Sequence, residues 1–180
     1  MKPSIQGVSV DLRPLSLEHV SEVYIGWLND PEVTKYNSHG DEVYTREKAI
    51  AYVTKVSSSD EYLVLAIHAK DSGKHIGNIS LQRINLKDQN AEYAILLGDR
   101  DYWGKGIAKE ASLLIMKHGF ESMNLHRIYC GTSADNEPMQ KLAAKLGFRE
   151  EGRRKDAMRK NGKFVDIIEY GVLKEDFKAD

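Results

Sequence analysis

Trp103-Gly104-Lys105-Gly106-Ile107-Ala108 is the stretch on which the reading of this chain turns. Before it, Glu92 to Leu97 alternates as a strand does; after it, Ile107 to Phe120 carries apolar residues at helical spacing. A glycine turn that joins a strand to a helix exposes the first backbone N–H groups of that helix, which have no intrahelical acceptor. The helix dipole makes the same end partially positive, stabilising an anion there by roughly 0.3–1 kcal/mol. Gly104 and Gly106 let the backbone come close to a phosphate, and Lys105 adds charge. Two common phosphate motifs are excluded. A dinucleotide fingerprint needs a third glycine where Lys109 stands, and a Walker A loop needs Ser or Thr after Gly-Lys, where Gly106 stands.

Working outward, Val8, Val10 and Leu12 alternate with polar residues as a first strand would, and Pro14 ends it. Ser16 is placed to cap a helix whose Val20, Val23, Tyr24 and Trp27 share a face, and Asn29-Asp30-Pro31 stops it. A second helix starts near Thr45 and buries Ala49, Tyr52, Val53 and Val56. Tyr62 to Lys70, His75 to Ile84 and Glu92 to Leu97 form a three-strand meander. Past the glycine turn and its helix come a strand (Arg127 to Thr132), a short helix (Pro138 to Leu146) and a last strand (Val165 to Leu173). Asn161-Gly162 forms the hairpin turn before that strand, and one more strand lies near Phe148 to Arg154. The fold class is therefore α/β: a mixed sheet with helices on its faces, read as one domain over residues 1–180.

The composition narrows the function. The chain has 180 residues, 41% apolar and 29% charged, with a net charge of −1, and so lacks the basic footprint of a nucleic-acid binder. Arg149 to Lys163 is a local basic run, read as a solvated loop or as a patch for an anionic partner. No apolar run reaches the ~20 residues of a membrane span. Met1 to Ser9 lacks the apolar core of a secretory signal, and the single Cys130 excludes an internal disulfide; a cytoplasmic protein is expected. His39, His68, His75, His118 and His126 show no ligand-like spacing, so no metal site is expected.

A second set of residues gives the turn its ligand. Asn136 lies 30 residues after Gly106, followed by Pro138, a short apolar helix and Gly147-Phe148. With Leu12-Arg13-Pro14-Leu15, Trp27-Leu28-Asn29-Asp30-Pro31, Tyr102 to Ala111 and Asn124 to Tyr129, nearly the whole chain resembles the GNAT superfamily. It is most similar to the branch of ribosomal-protein N-terminal, spermidine and amino-sugar acetyltransferases. The resemblance implies a GNAT fold: a central, mostly antiparallel sheet splayed at a β-bulge and flanked by about four helices. It implies that Gly104, Lys105, Gly106, Ile107, Ala108 and Lys109 hold the pyrophosphate of acetyl-coenzyme A. It further implies that Leu96, Leu97 and Gly98 line the pantetheine arm and that Asn136 hydrogen-bonds it. Trp103 replaces the Gln or Arg usual in the superfamily's coenzyme motif.

Acetyl transfer requires a neutral amine, and an α-amino group of pKa ~8 is mostly protonated at pH 7. A general base contributes about 10²–10⁴ in rate. Glu92 is the candidate base because it shares a sheet face with Ala94 and Leu96. Asp30 and Glu32 are weaker candidates. The backbone near Leu97 is placed to polarise the acetyl carbonyl. The family's usual proton donors are missing: the Tyr position holds Ala143 and the Ser position Met139. The acceptor is expected over the first two helices and the last hairpin, near Trp27, Asn29, Tyr36, Asn37, His39 and Tyr170. Three readings stand: a protein N-terminal acetyltransferase, an acetyltransferase of a nucleotide-linked amino sugar or polyamine, and a coenzyme-A-binding sensor without catalysis. Either a monomer or a homodimer fits.

Overall fold

The structure is a computed structural model that describes residues 2–37 and 41–179. Eight strands join one sheet in the order β1-β2-β3-β4-β5-β6-β8-β7. They are β1 (Ile5–Gln6), β2 (Val10–Pro14), β3 (Tyr62–Ala69), β4 (His75–Asn85), β5 (Asn90–Leu97), β6 (Arg127–Ser133), β7 (Arg149–Lys160) and β8 (Lys163–Leu173). Only β5 and β6 run parallel; every other pair is antiparallel. The α-helices are α1 (Glu22–Asn29), α2 (Arg46–Ser58), α3 (Ile107–Lys117) and α4 (Glu137–Lys145).

The β3 run Leu63 to Ile67 is apolar without alternation because both faces are covered. Leu63, Leu65 and Ile67 join one core with Ala111, Ile115 and Met116 of α3. Val64 and Ala66 join a second core with Trp27 and Leu28 of α1 and Val53 and Val56 of α2. So α3 and α4 cover one face, and α1 and α2 the other.

The position of the site follows from one discontinuity in the sheet. β5 and β6 pair only at Asn90–Arg127, Ala91–Ile128 and Glu92–Tyr129. Beyond Glu92 they part, and a V-shaped gap opens between Tyr93–Leu97 and Cys130–Ser133. At the far end of β5, the N–H groups of Gly98 and Asp99 both donate to the Ile76 carbonyl at 3.0 Å, which is bulge geometry. The Gly98 donation flanks the Gly77–Leu97 pair. Alternation then turns the N–H and C=O of Leu97 and Ile95 away from β4, into the gap.

The structure corrects several expectations. Val8 is 88% exposed, so the first core strand begins at Val10. Ser16 precedes a 3₁₀ turn, Leu17–His19; the true cap of α1 is Ser21, whose Oγ accepts from Tyr24 N at 3.2 Å, and Val23 faces solvent. Arg149 to Lys163 is no loop. It is almost wholly the edge strand β7, and four of its cations pair with acids: Arg153 with Asp166 and Arg154 with Glu169, both at 2.6 Å, Arg149 with Asp176 and Lys160 with Asp41, both at 3.2 Å. Asn161 and Gly162, with φ of 50° and 78°, do form the two-residue turn joining β7 to β8.

Candidate active site

The glycine turn closes the wide end of the gap. Gly104 has φ 73° and Gly106 φ 80°, both left-handed, and Gly106 is the N-cap of α3. A Cβ added at either glycine would meet no protein atom within 4 Å. Glycine is thus required here by backbone conformation, and the space above the turn is open. Ile107 is buried in the core, so it offers the turn only its backbone, whereas Lys105 and Lys109 are exposed. The turn is pinned on two sides. Trp103 Nε1 donates to the Leu97 carbonyl at 2.8 Å. Tyr102 OH donates to Asp71 at 2.9 Å and lies 2.8 Å from Ser72 Oγ, with Lys105 over its ring. That hydrogen bond holds the Asp71 carboxyl below its ordinary range.

Asn136 caps α4: its Oδ1 accepts from Met139 N and its Nδ2 donates to Thr132 Oγ1, both at 3.1 Å. The second Nδ2 hydrogen remains for a ligand. Between the turn and α4 lies a cleft of about 570 Å³, walled by Gly104, Ala108, Asn136, Leu97 and Tyr36 among others. We call it the turn cleft. On the α1/α2 face of the sheet lies a second space of about 390 Å³, into which Tyr24, Tyr44, Tyr52 and Tyr62 converge. We call it the tyrosine cavity. Asn37, Ile95 and Leu96 line both, so the two spaces meet at the end of the gap.

The other expected residues divide. Tyr36 and Asn37 lie on cavity walls, as do Leu96 and Leu97. Gly98 is buried because its α-carbon packs on the Trp27 indole; an added Cβ would lie 2.1 Å from that ring. Trp27 itself is core, on neither wall. Asn29 is a clamp: its amide group bonds both the N–H and C=O of Tyr44, at 2.8 and 2.9 Å, and thereby sets one tyrosine of the cavity. Tyr170 is buried on the opposite face, in the core under α3. His39 lies outside the described residues. Asp30 is occupied by the Glu32 N–H and by Arg100, while Glu32 lines the turn cleft. Glu92 lines neither space. It forms a cross-strand pair with Gln82, which does line the tyrosine cavity, and its carboxylate is 3.3 Å from Arg83 Nε. Ala143 is fully buried, and Met139 lines the turn cleft with a thioether that has no proton to give.

Sequence reasoning missed a cluster behind Trp27. His75 packs edge-on against Trp27 with ring centroids 5.0 Å apart, and its Nε2 meets Asn78 Oδ1 at 2.8 Å. His19 and His68 touch through their Nε2 atoms at 3.1 Å. Burial lowers all three below the ordinary histidine value, His75 to about 4. Among the described residues no group of His, Cys, Asp or Glu is arranged to hold a metal ion. Burial pushes the Cys130 thiol up to about 12, which makes it a poor nucleophile.

A splayed β5–β6 pair, a left-handed glycine turn capping a helix, and two cavities joined at the splay make up the candidate site. Residues 9–149 match the family model described as an acetyltransferase (GNAT) domain, and the chain belongs to the GNAT acetyltransferase family. It is 31% identical over 168 residues to the uncharacterized N-acetyltransferase p20 of Bacillus licheniformis, covering 92% of this chain and 93% of that one. It is 28% identical over 181 residues to the spermidine N(1)-acetyltransferase of Escherichia coli K12, covering 96% and 90%. Among solved structures, a GNAT-family acetyltransferase from Bacillus anthracis shares the fold with a TM-score of 0.83 at 24% identity, over 96% of this chain and 99% of that one. The chain is accordingly an N-acetyltransferase by family. No helix among the described residues is long and apolar enough to cross a membrane.

Proposed function

We propose that this protein transfers the acetyl group of acetyl-coenzyme A to a primary amine, with the coenzyme in the turn cleft and the amine in the tyrosine cavity. The observation that carries this reading is the junction of the two spaces at Asn37, Ile95 and Leu96. The open cradle over Gly104 and Gly106, at a helix N-terminus flanked by Lys105 and Lys109, fits a pyrophosphate. Asn136 and the gap-facing backbone of Ile95 fit a pantetheine amide chain. When bound, the coenzyme supplies a thioester carbonyl open to attack by an amine.

The chain's own groups then have assignable tasks. The Leu97 N–H, turned into the gap, is aimed at the acetyl oxygen, where negative charge develops. Tyr36 is the hydroxyl-bearing side chain on the described wall of the turn cleft, and Lys35 Nζ lies 5.4 Å from its ring centroid. Tyr36 protonates the departing sulfur, the task for which Met139 and Ala143 offer no group. Glu92 takes the amine proton through water, across the rim at Gln82. The buried, unpaired Cys130 agrees with a reducing, cytoplasmic setting.

The test is to follow free thiol release from acetyl-coenzyme A with panels of peptides, amino sugars, amino acids and polyamines. Thiol release with at least one amine is expected. Tight coenzyme binding with no thiol release from any panel would establish a sensor instead of an enzyme.

A further inference from the structure

We infer that the tyrosine cavity is built for a small amine that carries hydroxyl groups and an acidic group, a carboxylate or a phosphate, and that it selects against polyamines. This rests on the acetyl-transfer reading of the site. Among the described residues no carboxylate lines the cavity, and the one ionic side chain on its wall is Lys55 of α2. Lys55 Nζ lies 5.6 Å from the Tyr62 ring centroid and has no ion-pair partner among the described residues, so its charge is unspent. Glu92 stands across the strands from Gln82 of the cavity wall, and Arg83 already answers it at 3.3 Å. Arg153 and Arg154 of β7 are paired with Asp166 and Glu169, and no β7 cation lines this space, which leaves Lys55 as the cation on its described wall.

The remaining polar groups point to oxygen-rich cargo. Burial raises Tyr24, Tyr44 and Tyr52 above the ordinary tyrosine value, Tyr52 to about 12, so all three stay protonated hydroxyls at neutral pH. Tyr24 is hydrogen-bonded with Asn78, and Asn78 is fixed in turn by His75. Hydroxyls and amides satisfy hydroxyls and oxyanions; they give no counter-charge to a second ammonium, which would be desolvated opposite a lysine. Lys55 also disfavours the protonated form of the acceptor's own amine, so more of it is the neutral nucleophile.

The experiment is calorimetric titration of the coenzyme-A-loaded protein with matched probes. These are glucosamine and glucosamine 6-phosphate, serine amide and serine, spermidine, and a short peptide with a free N-terminus. At least one acidic member should bind tenfold or more tightly than its neutral partner and than spermidine. Whether the phosphate or the carboxylate pair shows the difference identifies the anion. Lys55→Met should erase the preference, and Lys55→Arg should keep it. Equal binding within both pairs, no binding of any probe, tighter binding of spermidine or the peptide, or a preference indifferent to Lys55→Met would each overturn the inference. Failure of the acetyl-transfer reading looks different: the wild-type protein would not bind coenzyme A, or acetyl-coenzyme A would release no thiol with any amine.

Discussion

At Gly106 a single φ of 80° joins backbone physics to ligand binding. A β-carbon in the left-handed region costs about 1–2 kcal/mol, so Gly106→Ala should weaken coenzyme A binding modestly by tilting the first N–H groups of α3. Gly106→Glu adds a carboxylate where a pyrophosphate belongs and should lower affinity at least 100-fold, the order set by a lost helix-end interaction plus charge repulsion. Calorimetry with coenzyme A reads both, and wild-type affinity in Gly106→Glu would remove the pyrophosphate from this turn. Tyr36 and Glu92 are tested by kinetics. Tyr36→Phe should lower kcat by about 10²-fold, the scale of a lost general acid, with KM for acetyl-coenzyme A little changed. Glu92→Gln should lower turnover and leave coenzyme affinity alone; wild-type turnover across pH 6–9 would dismiss Glu92 as the base.

At the scale of elements, one side chain of α3 hydrogen-bonds the start of the first core strand, beside the apolar packing between them. Glu110 Oε1 accepts the N–H groups of Val8 and Ser9 at 2.7 Å and of Val10 at 3.3 Å. Glu110→Ala strands these donors, a loss of about 2 kcal/mol for hydrogen bonds to a charged acceptor, and should lower Tm by roughly 4–8 °C in a chain of this size. An unchanged Tm would show that water replaces the carboxylate. This contact also marks what the sequence does and does not disclose. The glycine turn, α2, α3 and the β3–β5 meander are legible because their signals are local: a cap, a period, a turn pair. β7 is only partly legible: a strand is expected near Phe148 to Arg154, but the run also reads as a solvated loop, because an edge strand whose charges pair with Asp166 and Glu169 has no apolar face to alternate. The start of α1 is misread because two serines, Ser16 and Ser21, compete for the same cap. The turn cleft is half legible, since Gly104 to Ala108 are contiguous while Tyr36 arrives from after α1. The tyrosine cavity is illegible as a site: Tyr24, Tyr44, Tyr52 and Tyr62 lie on separate segments, and only the fold brings them over Ala94 and Leu96.

For the molecule as a whole, the histidines set the acid limit of stability. His19 Nδ1 accepts from Ser16 N at 3.1 Å, so its Nε2–H donates to His68 Nε2, and the His68 Nδ1–H is left for the Gly73 carbonyl at 3.3 Å. This chain satisfies every partner with both rings neutral. Charging either ring sets N–H against N–H, with Arg13 opposing the charge and Asp11 and Glu18 favouring it. Desolvation is the largest cause of the lowered values of His19, His68, His75 and His118. The sign follows from proton counting. Below the unfolded value of about 6.5 the unfolded chain binds protons that the folded chain refuses, so stability rises with pH across that window. It is complete above pH ~6.5 and falls as pH drops toward the folded value of His75, about 4. The carboxyls of Glu151, held low by Arg127, and of Asp166, held low by the Asp156 N–H and Arg153, add a second loss at lower pH, as they protonate. The urea midpoint should therefore be flat from pH 8 to 7, fall steadily from 6.5 to 4, and fall again below 4. His75→Gln should blunt the first decline without touching the second. A midpoint constant down to pH 4.5 in the wild-type protein would mean that the cluster behind Trp27 is wet and free to protonate in the folded state.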